Sequence, residues 1–487
     1  MKKIAVMFLA MTLSVNAFAA GAAKTSKTKN VSQNKTSTST KVKAATSKHS
    51  FESSIKAKLF EEIERGKGTK ITIKQAVKMA LTDSFQIYTA TKMKEIYDEA
   101  KNQANSSYYP YINLNAGYDR VFRKVKALND QDKMVTPRNA NNTYFAQLSA
   151  NWVLWTGGKI SKTKEYIELQ AKSADYQLED TKTAVAKEVA QYCYSIIYAS
   201  ALVHVQETYL DIAKQHLAET KARYKQGLSS NLDVLTQQVR VDNIMPQVLQ
   251  AKKNLDLSTL YLRQILNKDP EFPMFLTWTE KDLTVPNTKD IQQLYNDAYE
   301  HRPELIVSRI AVQMAETNYK LAKTDFYPTL SAYGNYGYYG ATMEGLPFDG
   351  YHHYWSANAG LKLSLPLFEG FSTKSQVKQK KLYYENAQAS YDNLKKTIRI
   401  EVKAAWLSLQ EAKQRIESTR GVVEQAQENL NSKMLRYRNG LISQLELNDA
   451  ISDLNDSNLS YVQAVYDAHV ALSDLNYAVG LETKDYE

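Results

Sequence analysis

The spacing of apolar side chains changes several times along the chain. Between residues 73 and 107, and again between 291 and 325, apolar residues recur with three-and-four spacing, which predicts a helix in each stretch. A Tyr-Pro pair follows each stretch, at 109–110 and 327–328. Because the residue before proline is disfavoured in the α conformation, each helix is predicted to end there.

Beyond each proline the spacing becomes two, which predicts strands. The alternating segments are 112–118, 144–154, 330–339 and 355–367. Polar loops at about 127–142 and 340–353 join these strands in pairs. The sequence therefore predicts two β-hairpins, at 111–155 and 329–368.

Two very long helical stretches follow the hairpins, from about 159 to 226 and from 372 to 439. At 1.5 Å per residue each would extend about 100 Å. Return helices of about 37 residues are predicted after the turns at Gly227 and Gly440. A helix of such length needs a partner along its whole extent, and two shorter helices placed end to end beside it would supply one.

An internal repeat relates the two halves. RYKQGLSSNLDVL at 223–235 reappears as RYRNGLISQLELN at 436–448, 213 positions later, and upstream of the hairpins the separation is 218. The chain is therefore predicted to contain two copies of one unit, 70–267 and 291–480, joined by a connector at 268–290. Pro246 lies within the first return helix only, where its repeat mate is Leu459, so a kink or local unwinding is expected there.

Strands of about 11 residues with one apolar face are typical of transmembrane β-barrels. The alternative is a water-soluble sandwich with one buried face. Aromatic residues near the strand ends favour the barrel, since such residues occupy membrane interfaces; they are Trp152, Trp155, Trp355 and Phe368. Four strands cannot close a barrel, and unpaired edges are not tolerated in hydrocarbon. Several chains must share one barrel, and three would supply twelve strands.

The N-terminus has the composition of an export signal. Residues 1–19 join two lysines to an apolar stretch and an Ala-Phe-Ala site, which predicts a cleaved signal peptide, and 20–50 predicts a disordered extension rich in Lys, Ser, Thr and Ala. The first 50 residues hold nine of the 62 Lys and Arg residues and no acid, which leaves 53 basic against 52 acidic residues elsewhere. The net charge of +10 therefore does not indicate a nucleic-acid partner.

Composition also limits the chemistry. Mean hydropathy is −0.48, and beyond the N-terminus no apolar run approaches the roughly 20 residues of a membrane helix, which excludes a multi-span helical membrane protein. One cysteine and seven histidines argue against a metal site or cofactor. His352 and His353 are expected in a surface loop without a third ligand, and Cys193 is expected to be packed in a helix. The chain is not predicted to be an enzyme.

Signal peptide, duplicated hairpins, long helices and RYxxGL turns together make residues 70–480 similar to the TolC-type outer-membrane efflux proteins, the outer membrane factors. The resemblance implies an α+β membrane protein that forms a homotrimer. Its twelve-stranded barrel, with four strands per chain, would sit among outer-membrane lipid and continue into a periplasmic α-helical coiled-coil barrel. It also implies a periplasmic adaptor protein, an inner-membrane pump, and a duct for tripartite efflux or type I secretion.

The resemblance further implies a closed periplasmic tip. The family's first-turn aspartate falls on Asp233 and its hydrogen-bonded tyrosine on Tyr437, whereas the expected arginine position is Ile442. Acidic constriction rings would fall on Glu446 and Asp449; the alternative is that these acids lie on solvated helix faces. Residues at the two turns are expected to contact the adaptor, namely Arg223, Tyr224, Gly227, Leu228, Arg436, Gly440 and Leu441.

Two other functions remain open at this point. A barrel-anchored adhesin or envelope scaffold would use the same membrane anchor without transport, although loops of about 15 residues are short for a receptor-binding face. A soluble helical scaffold would leave membranes without detergent. The exported substrate is not encoded in these patterns, because the pump and the adaptor largely select it.

Overall fold

The computed structural model describes residues 55–59, 61, 68–122, 127–128, 134–135, 142–279, 282, 284–286, 290–342 and 352–481. They belong to a compact unit that extends from His49 to Glu487. The predicted signal peptide and the extension 20–50 lie outside the described residues, as do large parts of the two hairpin loops.

Helices make up most of the described chain. Besides a short helical stretch at 55–59, they are in chain order α1 Ile73–Asp83, α2 Phe85–Asn105, α3 Lys159–Lys225, α4 Asn231–Ile265, α5 Ile291–His301, α6 Pro303–Lys323, α7 Ser372–Arg438 and α8 Gln444–Val479. The long helices α3 and α7 each have 67 residues, close to the predicted length. Within the described residues, no helix is apolar over a stretch long enough to cross a bilayer.

The segments 73–107 and 291–325, each predicted as one helix, contain two helices each. The first breaks at Ser84, whose backbone is extended and whose side chain caps α2 by accepting a hydrogen bond from the Ile87 amide at 3.3 Å. The second breaks at Arg302, which precedes Pro303 and is also extended. The prediction of single helices at 73–107 and 291–325 was wrong because a capping serine and a proline interrupt the apolar spacing locally.

The shorter helices lie beside the long ones, as their lengths suggest. In the first copy α2 and α4 both contact α3; in the second, α6 and α8 both contact α7. The two copies also meet, since α3 contacts α6 and α8. Buried residues of α1, of the middle of α3 and of the connector form the largest hydrophobic core, with Val185, Val189 and Cys193 fully enclosed.

The helix α4 continues without interruption through Pro246, so the expected local unwinding is absent there. Pro246 is exposed, between the buried residues Ile244 and Val248. The proline ring is on the outer side of the helix. Because proline has no amide hydrogen, the carbonyl oxygen of Asp242 has no helical partner, and on this side water can hydrate it.

The strands are β1 Thr69–Thr72, β2 Tyr111–Arg120, β3 Ala127–Leu128, β4 Met134–Val135, β5 Asn142–Trp155, β6 Met274–Thr277, β7 Thr329–Thr342 and β8 His352–Ser364. The main sheet is antiparallel with the order β2-β5-β7-β8. β1 pairs in parallel with β6, so the connector contains a strand that the sequence analysis did not predict.

The last strand is shorter than predicted. β8 ends at Ser364, and the alternating residues 365–368 that follow it are not in a strand. His352 and His353, both expected in a loop, belong to β8, where they pair with Ala341 and Gly340. A strand needs a hydrogen-bonded neighbour, and β7, the partner of β8, begins only at Thr329, opposite Ser364.

Candidate functional site

The four-stranded sheet has one apolar face. Residues opposite one another across the strands include Leu114, Leu148, Tyr336 and Ala357. Leu114 is 73% exposed and Leu361, on the same face of β8, is 69% exposed. An apolar surface of this extent, left open by one chain, is suited to lipid rather than to water.

The other face of the sheet is polar. Asn115 donates a hydrogen bond to the Ser149 hydroxyl at 3.4 Å, and Asn335 donates one to the side-chain oxygen Oδ1 of Asn358 at 2.8 Å. Lys362 points to this side as well, because it lies opposite Ser331. A sheet with these two faces can separate hydrocarbon from a water-filled space.

The predicted interface tryptophans lie at both ends of the apolar face. Trp152 donates a hydrogen bond from Nε1 to the carbonyl oxygen of Tyr108 at 3.0 Å, and Trp355 stacks on Tyr336 at 5.2 Å. Trp155 shares the face of Trp152 only because the pairing shifts between Val153 and Trp155, which leaves Leu154 as a β-bulge. The sequence predicted that these tryptophans lie on one face, but it did not predict the bulge that brings Trp155 to that face.

Along β7, the positions opposite Trp155 and Trp355 are Leu330 and Tyr338, eight residues apart, or roughly 27 Å of strand. That length is comparable with the apolar band of outer-membrane barrels. Phe368 lies beyond β8, is 76% exposed and packs edge-on against Phe371 at 5.6 Å.

At the other end of the long helices, the two RYxxGL turns have the same geometry. Gly227 and Gly440 adopt φ of +74° and +72°, which a side chain would strain. In the first turn the Leu228 amide donates to the Arg223 carbonyl oxygen at 2.9 Å, and in the second the Leu441 amide donates to that of Arg436 at 2.9 Å. These bonds satisfy carbonyl groups that the helix end leaves free.

Asp233 and Glu446 each cap the N-terminus of a helix, Asp233 that of α4 and Glu446 that of α8. The Asp233 carboxylate accepts hydrogen bonds from the Ser230 amide at 2.8 Å and the Ser229 hydroxyl at 2.9 Å. These hydrogen bonds lower the pKa of Asp233, and the bond from the Ser230 amide has the largest effect. Glu446 forms the corresponding capping box with Ser443.

The expected Asp233–Tyr437 bond is not formed: in the described part of the chain no hydrogen bond joins these side chains, and the capping serines occupy the carboxylate. Tyr437 is 6% exposed and packs edge-on against His216 at 5.2 Å. The Arg223 guanidinium lies over the Tyr437 ring at 4.9 Å and donates to its carbonyl oxygen at 3.4 Å.

A second group of contacts joins the first return helix to the second. Arg240 donates to the Asn448 carbonyl oxygen at 2.9 Å and to the Ser452 hydroxyl at 2.5 Å. Gln237, fully buried, donates to the Asn448 side chain at 3.1 Å. We call the contacts of Arg223, Gln237 and Arg240 with the second copy the hairpin tie, because they hold the α7–α8 hairpin to the α3–α4 hairpin.

Gln237, Arg240 and Asn448 were not predicted from the sequence as functional residues. One signal was present: Gln237 interrupts an apolar stripe of α4 that includes Val234, Val241 and Ile244. A polar residue at such a position specifies how helices pair.

His216 lies beside the hairpin tie and is 5% exposed. Burial lowers the pKa of this imidazole, the cations Arg240 and Arg223 lower it further, and Glu219 opposes them. The folded protein therefore favours the neutral ring.

The two candidate constriction acids are exposed on the first turns of α8. Glu446 forms its capping box and Lys433 donates to its carbonyl oxygen at 3.4 Å. Asp449 lies three residues further along the same helix. Ile442, where the resemblance implies an arginine, instead packs against the apolar cluster around Leu430 and Ile451.

Cys193 is fully buried, and burial raises the pKa of its thiol strongly, so it is packed as predicted. Among the described residues, no three His, Cys, Asp or Glu side chains converge on a potential metal position.

The sequence model of a family described as outer membrane efflux protein matches residues 76–268 and 294–481. The chain belongs to the outer membrane efflux protein family. It is therefore an outer-membrane protein of a family of export channels, and the two matched segments account for most of its length.

Individual relatives agree with this assignment. The chain is 23% identical to the outer membrane protein TolC of Vibrio cholerae over 402 residues, covering 81% of this chain and 87% of that protein. It is 21% identical to TolC of Escherichia coli K12 over 395 residues, covering 78% and 76%. The solved structure of CusC superposes with a TM-score of 0.69 at 17% identity over 86% of this chain and 94% of CusC, which shows a shared fold.

Proposed function

We propose that three copies of this outer membrane efflux protein form one twelve-stranded barrel continued by a periplasmic helical tunnel. The observation that carries the proposal is the sheet with one apolar and one polar face, joined directly to helices of 67 residues. The apolar face would contact outer-membrane lipid, and the polar face would line the duct.

The edges of the sheet support a shared barrel. In the main sheet, β2 and β8 each have one strand neighbour among the described residues, so one edge of each is open. Open edges are costly in hydrocarbon because unpaired amide and carbonyl groups find no water there. Three chains with four strands each give an even strand number and a lumen wide enough for solutes.

The helices also lack partners in a single chain. An apolar stripe with three-and-four spacing runs along the exposed side of α4; its members include Leu232 at 71%, Leu235 at 54% and Val239 at 57% exposure. Such a stripe is typical of coiled-coil contacts. Neighbouring copies would cover it in a helical barrel.

The tip would act as the gate. The hairpin tie holds α7–α8 against α3–α4 without an arginine at 442, so Arg223 and Arg240 take the place of the expected charged contact. Threefold symmetry would turn Glu446 and Asp449 into rings of carboxylates that favour cations.

The turns themselves would bind the periplasmic adaptor, and an inner-membrane pump would supply the energy. Leu228 and Leu441, 64% and 72% exposed, present apolar side chains at the turns. With Tyr224 and the two turn glycines they form the surface that we assign to this contact.

Two measurements test the duct. The detergent-corrected mass of the extracted particle should be that of three copies, and the particle should conduct ions across planar bilayers.

Neutralising both acids, Glu446→Gln with Asp449→Asn, should reduce cation selectivity several-fold, whereas the matched pair Glu271→Gln with Glu300→Gln should not. A trimer that conducts no ions even after the contacts of the hairpin tie are removed would instead favour an envelope scaffold or adhesin. A soluble monomer would exclude the duct.

A further inference from the structure

The first turns of α7 differ in charge from those of α3, the repeat mate of α7. One face of α7 carries Lys374, Lys378 and Lys381, spaced four and three residues apart. Lys381 forms an ion pair with Glu385 at 3.4 Å. At a separation of 213 positions, the corresponding residues of α3 are Ser161, Glu165 and Glu168. The second copy therefore has three cations where the first has two acids and a serine.

The residue that precedes α7 is held in an unfavourable backbone conformation. Phe371 adopts a φ of +66°, in the left-handed region, where its repeat mate Gly158 adopts +88°. Glycine adopts this conformation freely, whereas a side chain strains it. Because Phe371 is 68% exposed, packing within one chain compensates for little of this strain.

The lysines of α7 also lack compensating charges within one chain. The first turn of a helix is positively polarised, and α7 has no acidic residue there. At the start of α3, by contrast, Lys159 pairs with Asp325 at 2.8 Å. Over the part of the chain that the structure describes, neither Lys374 nor Lys378 has an ion-pair partner. Both ammonium groups are free to bind an anion.

A hollow adjoins these residues at the corner between β8 and α7. Its volume is about 260 Å³, and the residues that line it include Phe326, Phe368, Phe371 and Lys374. Two acids of the hollow already have partners: Asp325 pairs with Lys159, and Glu369 accepts a hydrogen bond from the Thr373 hydroxyl. The hollow therefore combines aromatic walls with an unpaired cation.

This face of the long helices is on the outside of the proposed tunnel. Ala186 is 18 residues beyond Glu168, and Ile197 is 36 residues beyond Ser161, which are about five and ten turns of α3, so all four share one face. Ala186 and Ile197 are buried in the core that α1 and the connector form with α3. A core of that size on the inner side would fill the tunnel, so this face is the outer one.

The same face stays open when neighbouring helices are in place. α3 contacts both α2 and α6. Ser161 and Glu168 are exposed all the same, and a Cβ atom added at Gly158 would meet no atom within 4 Å. Neighbours in a tunnel wall therefore leave this face uncovered, and the corresponding residues of α7 are available to another partner.

The apolar surface of the sheet continues to this face. Phe371 packs edge-on against Phe368 at 5.6 Å, and the repeat mate of Phe368 is Trp155, on the apolar face of the sheet. Helical side chains tilt toward the N-terminus of their helix, which for α7 is the end next to the sheet. Long lysine side chains on the first turns can therefore extend toward a membrane surface at the level of Phe371.

We infer that Phe371, Lys374 and Lys378 bind anionic phospholipid in the leaflet of the outer membrane that faces the helices. Phe371 enters the boundary between acyl chains and headgroups, and the two lysines bind headgroup phosphates. We call these three residues the headgroup anchor. The inference rests on the proposed membrane-spanning trimer, which would carry three such anchors, one at each second-copy corner.

Quenching of an added tryptophan tests the headgroup anchor in the full chain. Phe371→Trp is reconstituted in phosphatidylcholine vesicles that contain the same fraction of either phosphatidylglycerol or phosphatidylcholine brominated on the acyl chains. The signal is the fluorescence in excess of the wild type, because the five native tryptophans are common to both proteins. Brominated phosphatidylglycerol should quench this signal several-fold more strongly than brominated phosphatidylcholine.

Two lysine pairs provide the matched comparison. Adding Lys374→Gln with Lys378→Gln should remove the preference for phosphatidylglycerol. Adding Lys396→Gln with Lys403→Gln instead should leave the preference unchanged, since these lysines lie on the same face of α7 but more than about 30 Å further from the sheet than their counterparts.

Three results would overturn the headgroup anchor. One is an added tryptophan that aqueous iodide quenches and neither brominated lipid does. Another is equal quenching by the two brominated lipids. If Phe371→Trp does not assemble, native mass spectrometry of the wild type and the two lysine pairs replaces it. Only the Lys374/Lys378 pair should then lose bound phosphatidylglycerol, and equal retention by all three proteins is the third contrary result.

The mass and conductance of the same preparations separate the headgroup anchor from the duct. A conducting particle with the mass of three copies and no preference for phosphatidylglycerol would overturn the anchor alone. A soluble particle with the mass of one copy would overturn the anchor and the proposed duct together.

Discussion

At the scale of single residues, Arg240 makes two of the hydrogen bonds of the hairpin tie. Its guanidinium bonds to Asn448 and Ser452 of the second copy and to the Tyr209 hydroxyl at 3.1 Å. A hydrogen-bonded charged group of this kind contributes about 2 kcal/mol. We expect Arg240→Ala to raise the open population of the tip by roughly 30-fold, measured as conductance in planar bilayers. Lys225→Ala, an exposed cation near the same turn, is the control; equal effects of both would argue against the tie.

His216 gives the tip a dependence on pH. The folded state holds the pKa of His216 below its ordinary value of 6.5, so folding favours the neutral ring. As the pH falls through 6.5 the unfolded or loosened state binds the proton first, and the contribution to stability is lost progressively. A protonated ring would face Arg223 and Arg240 as a third cation, with Glu219 as the opposing acid and Tyr437 as the neutral neighbour.

We therefore expect the tip to open more readily at pH 5.5 than at pH 7.5. The His216→Gln variant should lose this part of the pH dependence while keeping the conductance that the wild type shows at pH 7.5. Single-channel recordings at the two pH values measure it. An unchanged pH response in the variant would assign the response to other groups.

At the scale of elements, Pro246 lowers the stability of α4, whereas Leu459, its repeat mate in α8, does not have this effect. Pro246 cannot donate an amide hydrogen bond to Asp242, and proline within a helix costs about 3 kcal/mol. We expect Pro246→Ala to stabilise the assembled protein by about 1 to 3 kcal/mol in thermal unfolding in detergent. The reciprocal variant Leu459→Pro should destabilise it by about 3 kcal/mol; a neutral result for both would mean that neither helix contributes to the measured transition.

Element types were predictable because their signals are local. Apolar spacing identified α3, α7 and the four main strands, and the turn glycines marked where α4 and α8 begin. The breaks at Ser84 and Arg302 were also encoded locally, by a capping serine and a proline, but the apolar spacing of the longer stretch obscured them. The end of β8 was not predictable from alternation, because it depends on whether a neighbouring strand is present.

At the scale of the whole molecule, the two faces of the sheet should respond oppositely to charge. Leu114→Lys places a cation on the apolar face and should cost about 2 to 4 kcal/mol if that face meets lipid at mid-depth. Asn115→Lys, its neighbour on the polar face, should cost much less. The yield of folded particles in outer membranes measures both. A greater loss with Asn115→Lys would reverse the proposed orientation of the sheet.

The sequence by itself determined the element types, their order, the duplication and the apolar and polar faces of the strands, because periodicity and turn residues act over a few positions. Only the tertiary structure decided which distant residues meet. It placed Arg240 against Asn448 and brought Trp155 to the face of Trp152 through the bulge at Leu154. These contacts depend on the register between segments some 200 residues apart, which no local pattern specifies.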